Sequence, residues 1–145
     1  MSKKPIIAVT RVLPDAGMSM LAEAADIELR VWPGDLPPNP DELAALVAGV
    51  DGVIALVTDP IGGDLLDRNP SIRVLSNFAV GYDNIDVVAA TERGVLVCNT
   101  PGVLTETTAD LTFALLVSAA RRVVVGVEDF RAGEMQNRGP TPPLG

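Results

Sequence analysis

The sequence predicts an α/β fold: an open parallel sheet of five strands with helices on both faces, followed by a helical arm. Three observations lead there. Short apolar runs rich in β-branched residues recur at 5–10, 27–32, 52–57, 74–78 and 95–98. The segments between them carry helical spacing, and none is short enough to be a hairpin turn. After residue 100 the rhythm stops, and a long segment that is apolar nearly all round takes over.

The first run, Pro5-Ile6-Ile7-Ala8-Val9-Thr10, has the composition of a buried strand. Pro14 opens a helix with Met18, Leu21, Ala22 and Ala25 at helical spacing. From Ile27 to Trp32, apolar Ile27, Leu29 and Val31 alternate with Glu28 and Arg30, the period of a half-buried edge strand. Pro33 to Pro40 holds four prolines and reads as a loop. Asp41 and Glu42 then favour the positive end of a helix whose apolar face is Leu43, Leu46 and Val47.

Gly52 to Val57 is a third strand, buried on both faces, and a short helix follows around Gly63 to Arg68. The fourth strand, Val74-Leu75-Ser76-Asn77-Phe78, ends in the turn Val80-Gly81-Tyr82-Asp83-Asn84. A helix from Ile85 to about Arg93 stops at Gly94, and a fifth strand runs from Val95 to Cys98. Asp83 and Asp86 read as turn and N-cap residues rather than as paired catalytic carboxylates. With every connection a right-handed crossover, the expected strand order is the flavodoxin-like 2-1-3-4-5. Ligands of such sheets bind outside the carboxyl ends of the strands, where the 80–84 and 99–102 turns lie.

Residues 1–100 therefore read as one sheet domain, and 101–145 as a helical arm and linker. Thr105 opens a long helix to Arg122 whose apolar positions, from Leu111 to Ala120, leave no polar side. Such a helix needs cover on every side, from a partner domain or a second subunit. A second helix is expected from about Val125 to Arg131, then an aperiodic tail from Gly133 to Gly145.

Composition excludes several functions. A net charge of −8 offers no basic patch for nucleic acid. The longest apolar stretch, 111–120, falls short of the ~18 residues that span a bilayer, and no secretory signal precedes the first strand. A soluble cytoplasmic protein is expected. The sequence contains no histidine, which removes histidine acid/base chemistry, Ser-His-Asp triads and the usual zinc sites. Its one cysteine, Cys98, lies in an apolar strand and is expected to be a buried, inert thiol.

Three strings in order, Val80-Gly81-Tyr82-Asp83-Asn84-Ile85-Asp86, Gly94 through Thr105, and Ala109-Asp110-Leu111, resemble the D-isomer-specific 2-hydroxyacid dehydrogenases. The likeness is strongest to their glyoxylate/hydroxypyruvate reductase branch. Ala120-Arg121-Arg122 and Arg131-Ala132-Gly133-Glu134 continue it, so it runs through essentially the whole sequence.

The resemblance implies a two-domain enzyme that reduces small 2-keto acids to 2-hydroxy acids with NADH or NADPH. It implies that the backbone N–H groups of Val80 and Gly81 hold the substrate carboxylate, and that Leu56 packs against the substrate's carbon chain. It places the Thr105 hydroxyl near the cofactor and gives the 105–122 helix a part in a homodimer. Read from residues alone, Gly81 serves a tight turn, Leu56 serves the core and Thr105 caps its helix.

There are departures from the family pattern. No G-x-G-x-x-G dinucleotide fingerprint occurs in the sequence, and the family's catalytic Arg, Glu and His have no counterparts. Met135 and Arg138 stand where the family shows tryptophans. The expectation is a substrate-binding and dimerisation portion, truncated before the cofactor domain, that binds no NAD(P) and turns nothing over alone. The alternative is a non-catalytic interaction module derived from the same family.

Overall fold

The computed structural model describes residues 3–133. Two compact units divide the chain after Gly102. The first holds β1 (Ile6–Val9), α1 (Asp15–Glu23), β2 (Glu28–Val31), α2 (Pro40–Leu46), β3 (Gly52–Ala55), α3 (Gly63–Arg68), β4 (Val74–Asn77), α4 (Val87–Glu92) and β5 (Leu96–Cys98). All strands pair in parallel, in the order β2-β1-β3-β4-β5. This is the order expected from the sequence.

Right-handed crossovers put α1 on one face and α2, α3 and α4 on the other, because the chain winds outward from β1 in both directions. Burial follows that asymmetry. Ala8, Val53 and Leu75 lie side by side in register on the face of the three helices and are almost wholly buried. They meet Leu43, Val47, Leu66 and Ala90 in one core with Val50 and Ile61. The opposite face thins out toward the β5 edge. Across it, Ile54, Ser76 and Cys98 are register partners, the first two half-buried and the last exposed.

This corrects the expectation for Cys98, whose thiol is exposed. A short apolar strand implies burial only if both faces are covered, and β5 is an edge strand on the less covered face. Likewise α1 buries no residue at all. Its apolar stripe is only partly covered, with Met18 and Leu21 half-buried and Ala22 and Ala25 exposed.

Local chemistry sets the element ends. Asn39 caps α2 by accepting from the Asp41 and Glu42 N–H groups, while the Glu42 carboxylate accepts from the Asn39 N–H. This reciprocal box, with Pro40 in the first turn, starts the helix more firmly than the acidic pair alone. Asp86 caps α4 by accepting from Ala89 N–H, as its sequence position suggested. Asp51 accepts from Ile6 N–H at 2.8 Å and so anchors the start of β1 to β3.

The second unit contains α5 (Thr105–Ala120) and α6 (Val123–Ala132). The N-cap of α5 is Leu104, not Thr105, and no side chain caps that end. Neither helix buries a residue, and Leu111, Phe113, Leu115 and Leu116 are each at least 60% exposed. The break between the helices falls at Arg122, held in the left-handed region at φ 52°, so α5 ends with its apolar run at Ala120, two residues before the expected end at Arg122. Gly133 closes α6 with φ 72°. Residues 134–145, with Met135, Arg138 and the expected tail, lie outside the described residues.

Replacing Asn39 with Ala removes two acceptor contacts and should cost about 1 kcal/mol, against a few tenths for Asn39→Gly. Urea unfolding of the two variants beside the parent chain checks the difference.

Candidate active site

β3, β4 and β5 end side by side, and the loops that leave them form the candidate site. The loop after β4 is built by its carbonyl groups. Ala79 O accepts from Thr100 N–H at 2.9 Å, and Val80 O accepts from the Asn99 side-chain amide at 2.7 Å. Both donors come from the segment just after β5. In an extended strand successive carbonyls point to opposite sides. Two in a row bonded to one neighbouring segment require the bend seen at 78–80.

The consequence falls on the N–H groups. All peptides here are trans, so each N–H points away from the carbonyl across its own peptide bond. With Ala79 O and Val80 O turned toward the segment after β5, the N–H groups of Val80 and Gly81 are directed away from it. Among the described residues neither N–H donates to a protein acceptor. Val80, Gly81 and Tyr82 are all exposed. Adjacent unpaired amides on a bend are a site for an anion without any cationic side chain.

Gly81 is not needed for the bend itself. Its φ lies outside the left-handed region, and an added Cβ would come no closer than 3.6 Å to its nearest neighbour, the Asp83 carboxylate. The tight-turn reading of this glycine is therefore unsupported by its backbone. What a side chain at 81 would occupy is the open space beside the amides.

Leu56 is the first residue beyond β3 and is half-buried. Its backbone is clamped from both ends. Leu56 N–H donates to Asp59 Oδ2 at 2.7 Å, and Leu56 O accepts from the Asn84 side-chain amide at 3.0 Å. Asp59 is itself buried and also accepts from the Thr10 hydroxyl at 2.6 Å. Asn77, the last residue of β4 and only 1% exposed, donates to Gly81 O at 2.9 Å and to Asn84 Oδ1 at 3.0 Å. Leu56, Val80 and Gly81 thus sit on loops at one edge of the sheet, joined by polar side chains beneath them.

Thr105 stands in the second unit, exposed, as the first residue of α5. The polar residues under the site, Thr10, Asp59, Asn77, Asn84 and Asn99, were not singled out by sequence reasoning. The one signal was Asn77 at the end of an apolar strand. A buried amide there must find partners.

Among the described residues the first strand-to-helix turn does not suit a dinucleotide. The turn from β1 into α1, Thr10 to Pro14, contains no glycine, and Thr10 is tied to Asp59. A pyrophosphate needs close backbone approach at such a turn. No helix among the described residues is long and apolar enough to cross a membrane.

Comparison with known proteins decides the family. The model of the D-isomer specific 2-hydroxyacid dehydrogenase catalytic domain matches residues 7–138. This chain belongs to that family. It is 47% identical over 131 residues to a glyoxylate reductase of Korarchaeum cryptofilum, covering 90% of this chain but 39% of that protein. A crystal structure of a Thermus thermophilus protein superposes with a TM-score of 0.84 at 42% identity, over 97% of this chain and 44% of the other. The D-lactate dehydrogenase of Aquifex aeolicus, solved with NAD and lactic acid, shares the fold at 19% identity and a TM-score of 0.76, over 96% and 40%. The chain spans about two fifths of the length of the curated relative it matches.

Asp59→Asn should weaken the clamp on Leu56 by replacing one oxygen of the carboxyl that accepts from Leu56 N–H and the Thr10 hydroxyl with an NH₂ group. A loss of about 2 kcal/mol in urea unfolding is expected. Faster hydrogen exchange at the Leu56 amide locates it.

Proposed function

We propose that this dehydrogenase-family chain supplies the substrate-carboxylate side of an NAD(P)-dependent D-2-hydroxyacid dehydrogenase. The substrate is a small 2-oxo acid such as glyoxylate or hydroxypyruvate. The observation that carries the reading is the pair of unpaired, exposed N–H groups at Val80 and Gly81, held outward by the bonds to their neighbouring carbonyls. Two amides at one bend match the two oxygens of a carboxylate, and Leu56 supplies an apolar wall for a short carbon chain. The family and the glyoxylate reductase relatives agree with this choice of acid.

Hydride transfer and protonation of the new hydroxyl are assigned to groups outside these 145 residues, since the sequence contains neither a histidine nor a dinucleotide fingerprint. Thr105, carried over from the family pattern, is proposed to approach the cofactor in the assembled enzyme. It has no part in carboxylate binding.

A second reading has its own observation. The exposed Leu111, Phe113, Leu115 and Leu116 of α5 form more apolar surface than a lone soluble helix tolerates. We propose that α5 pairs with the same helix of a second copy, either to assemble the enzyme or, in the alternative, as the chain's whole role.

Gly81→Ala separates binding from folding. Stability should stay level or rise by about 0.5 kcal/mol, because the backbone accepts alanine. The glyoxylate-induced shifts of the Val80 and residue-81 amides in NMR titration should report a loss of about tenfold in apparent affinity. Equal binding by parent and variant contradicts the carboxylate reading. The same chain, given glyoxylate with NADH or NADPH, should oxidise no cofactor.

Sedimentation equilibrium tests the second reading. A dimer is expected for the parent chain and a monomer for Leu115→Glu. A parent chain that stays monomeric at every concentration counts against it.

A further inference from the structure

We propose that the side-chain amides of Asn77 and Asn84 form a positioning pair that locks the carboxylate amides and Leu56 into one register, and thereby sets the chain length of the acid accepted. The inference rests on reading Val80 and Gly81 as the carboxylate site.

The two amides face each other head to tail. Asn77 Nδ2 donates to Asn84 Oδ1 at 3.0 Å, and Asn84 Nδ2 approaches Asn77 Oδ1 at 3.3 Å. Each nitrogen has two hydrogens. Asn77 directs its second to Gly81 O, at 2.9 Å. Asn84 reaches Leu56 O and Asp59 O, both at 3.0 Å. One end of the pair therefore holds the carboxylate loop, and the other holds the loop that carries Leu56. The backbone joins the same two loops further on, where Ile61 N–H donates to Asn84 O at 2.8 Å.

The chemistry requires amides at both positions. A carboxylate of the same shape would set an oxygen against Gly81 O or Leu56 O, repelling the carbonyl that the amide attracts. A leucine at 77 would leave Gly81 O without its donor, and one at 84 would leave Leu56 O with only the Asp59 N–H, which donates to it at 3.0 Å. Asn77 is only 1% exposed, and Asn84 is half-buried with its amide spent on Leu56 O, Asp59 O and Asn77. They act through the backbone, by fixing where the carboxylate sits relative to the Leu56 wall. Asn99, by contrast, holds only Val80 O. It orients the carboxylate amides without reaching Leu56.

That difference gives the test. The ¹⁵N-labelled chain and its Asn77→Asp, Asn84→Asp and Asn99→Asp variants are titrated with glyoxylate and with 2-oxobutyrate, following the amides of residues 80–82. The parent should prefer glyoxylate. Asn77→Asp and Asn84→Asp should lose about tenfold in glyoxylate affinity, the scale of one charge-assisted hydrogen bond, and should also lose the preference between the two acids. Asn99→Asp should weaken both acids equally and keep the preference. Partial unfolding would lower both affinities together and leave their ratio unchanged, so the ratio isolates positioning.

If the asparagine variants fail to fold, the parent answers alone. Saturation with glyoxylate should slow hydrogen exchange at Leu56 N–H and at both side-chain amides. No slowing overturns the proposal. A parent chain whose Val80 and Gly81 amides ignore glyoxylate overturns the carboxylate reading and this inference together. A parent that binds, with Asn77→Asp and Asn84→Asp keeping its preference, overturns this inference only.

Discussion

Fixing a carbonyl fixes the N–H across the same trans peptide, and the site at the edge of this sheet depends on that constraint. Thr100 N–H and the Asn99 amide take the carbonyls of Ala79 and Val80, so the N–H groups of Val80 and Gly81 face away from them and find no protein acceptor among the described residues. No cation is needed to make the place attractive to an anion. The bend itself, closed from the β5 side, supplies the donors.

The fold puts that bend beside its complement. Parallel pairing brings the ends of β3, β4 and β5 to a common edge. The core of Leu43, Val53, Ile61 and Leu75 holds them there. Polar side chains then enter where the ladders stop: Asp59 under Leu56, Asn77 under Gly81, and Asn84 between them. Buried polar groups are tolerated in a core only when satisfied. Here the bonds they make end on the backbone of a loop or on another polar side chain of the set.

Much of this was legible in the sequence. Short β-branched runs separated by crossover-length segments pointed to a parallel sheet, and the flavodoxin-like strand order, the first choice for such a sheet, is the one found. Asp86 announced its helix by its position. Cys98 misled because residue type reports apolarity but not which face of an edge strand is covered. Thr105 looked like a cap because hydroxyls often are, yet the cap position of α5 falls one residue earlier, at Leu104. The three asparagines were overlooked for a related reason: in a linear reading Asn77 ends an apolar run and Asn84 fills a turn. Only the folded loops bring them face to face. Family likeness pointed to Val80 and Gly81, but the cause of their availability lay in residues further along the chain, at 99 and 100.

The most direct test is a crystal structure of this chain soaked with glyoxylate. Carboxylate oxygens are expected within ~3.2 Å of the Val80 and Gly81 nitrogens, with the Asn99 amide still on Val80 O. An anion bound elsewhere, or a flipped peptide that turns Val80 O to the solvent, would contradict the assignment.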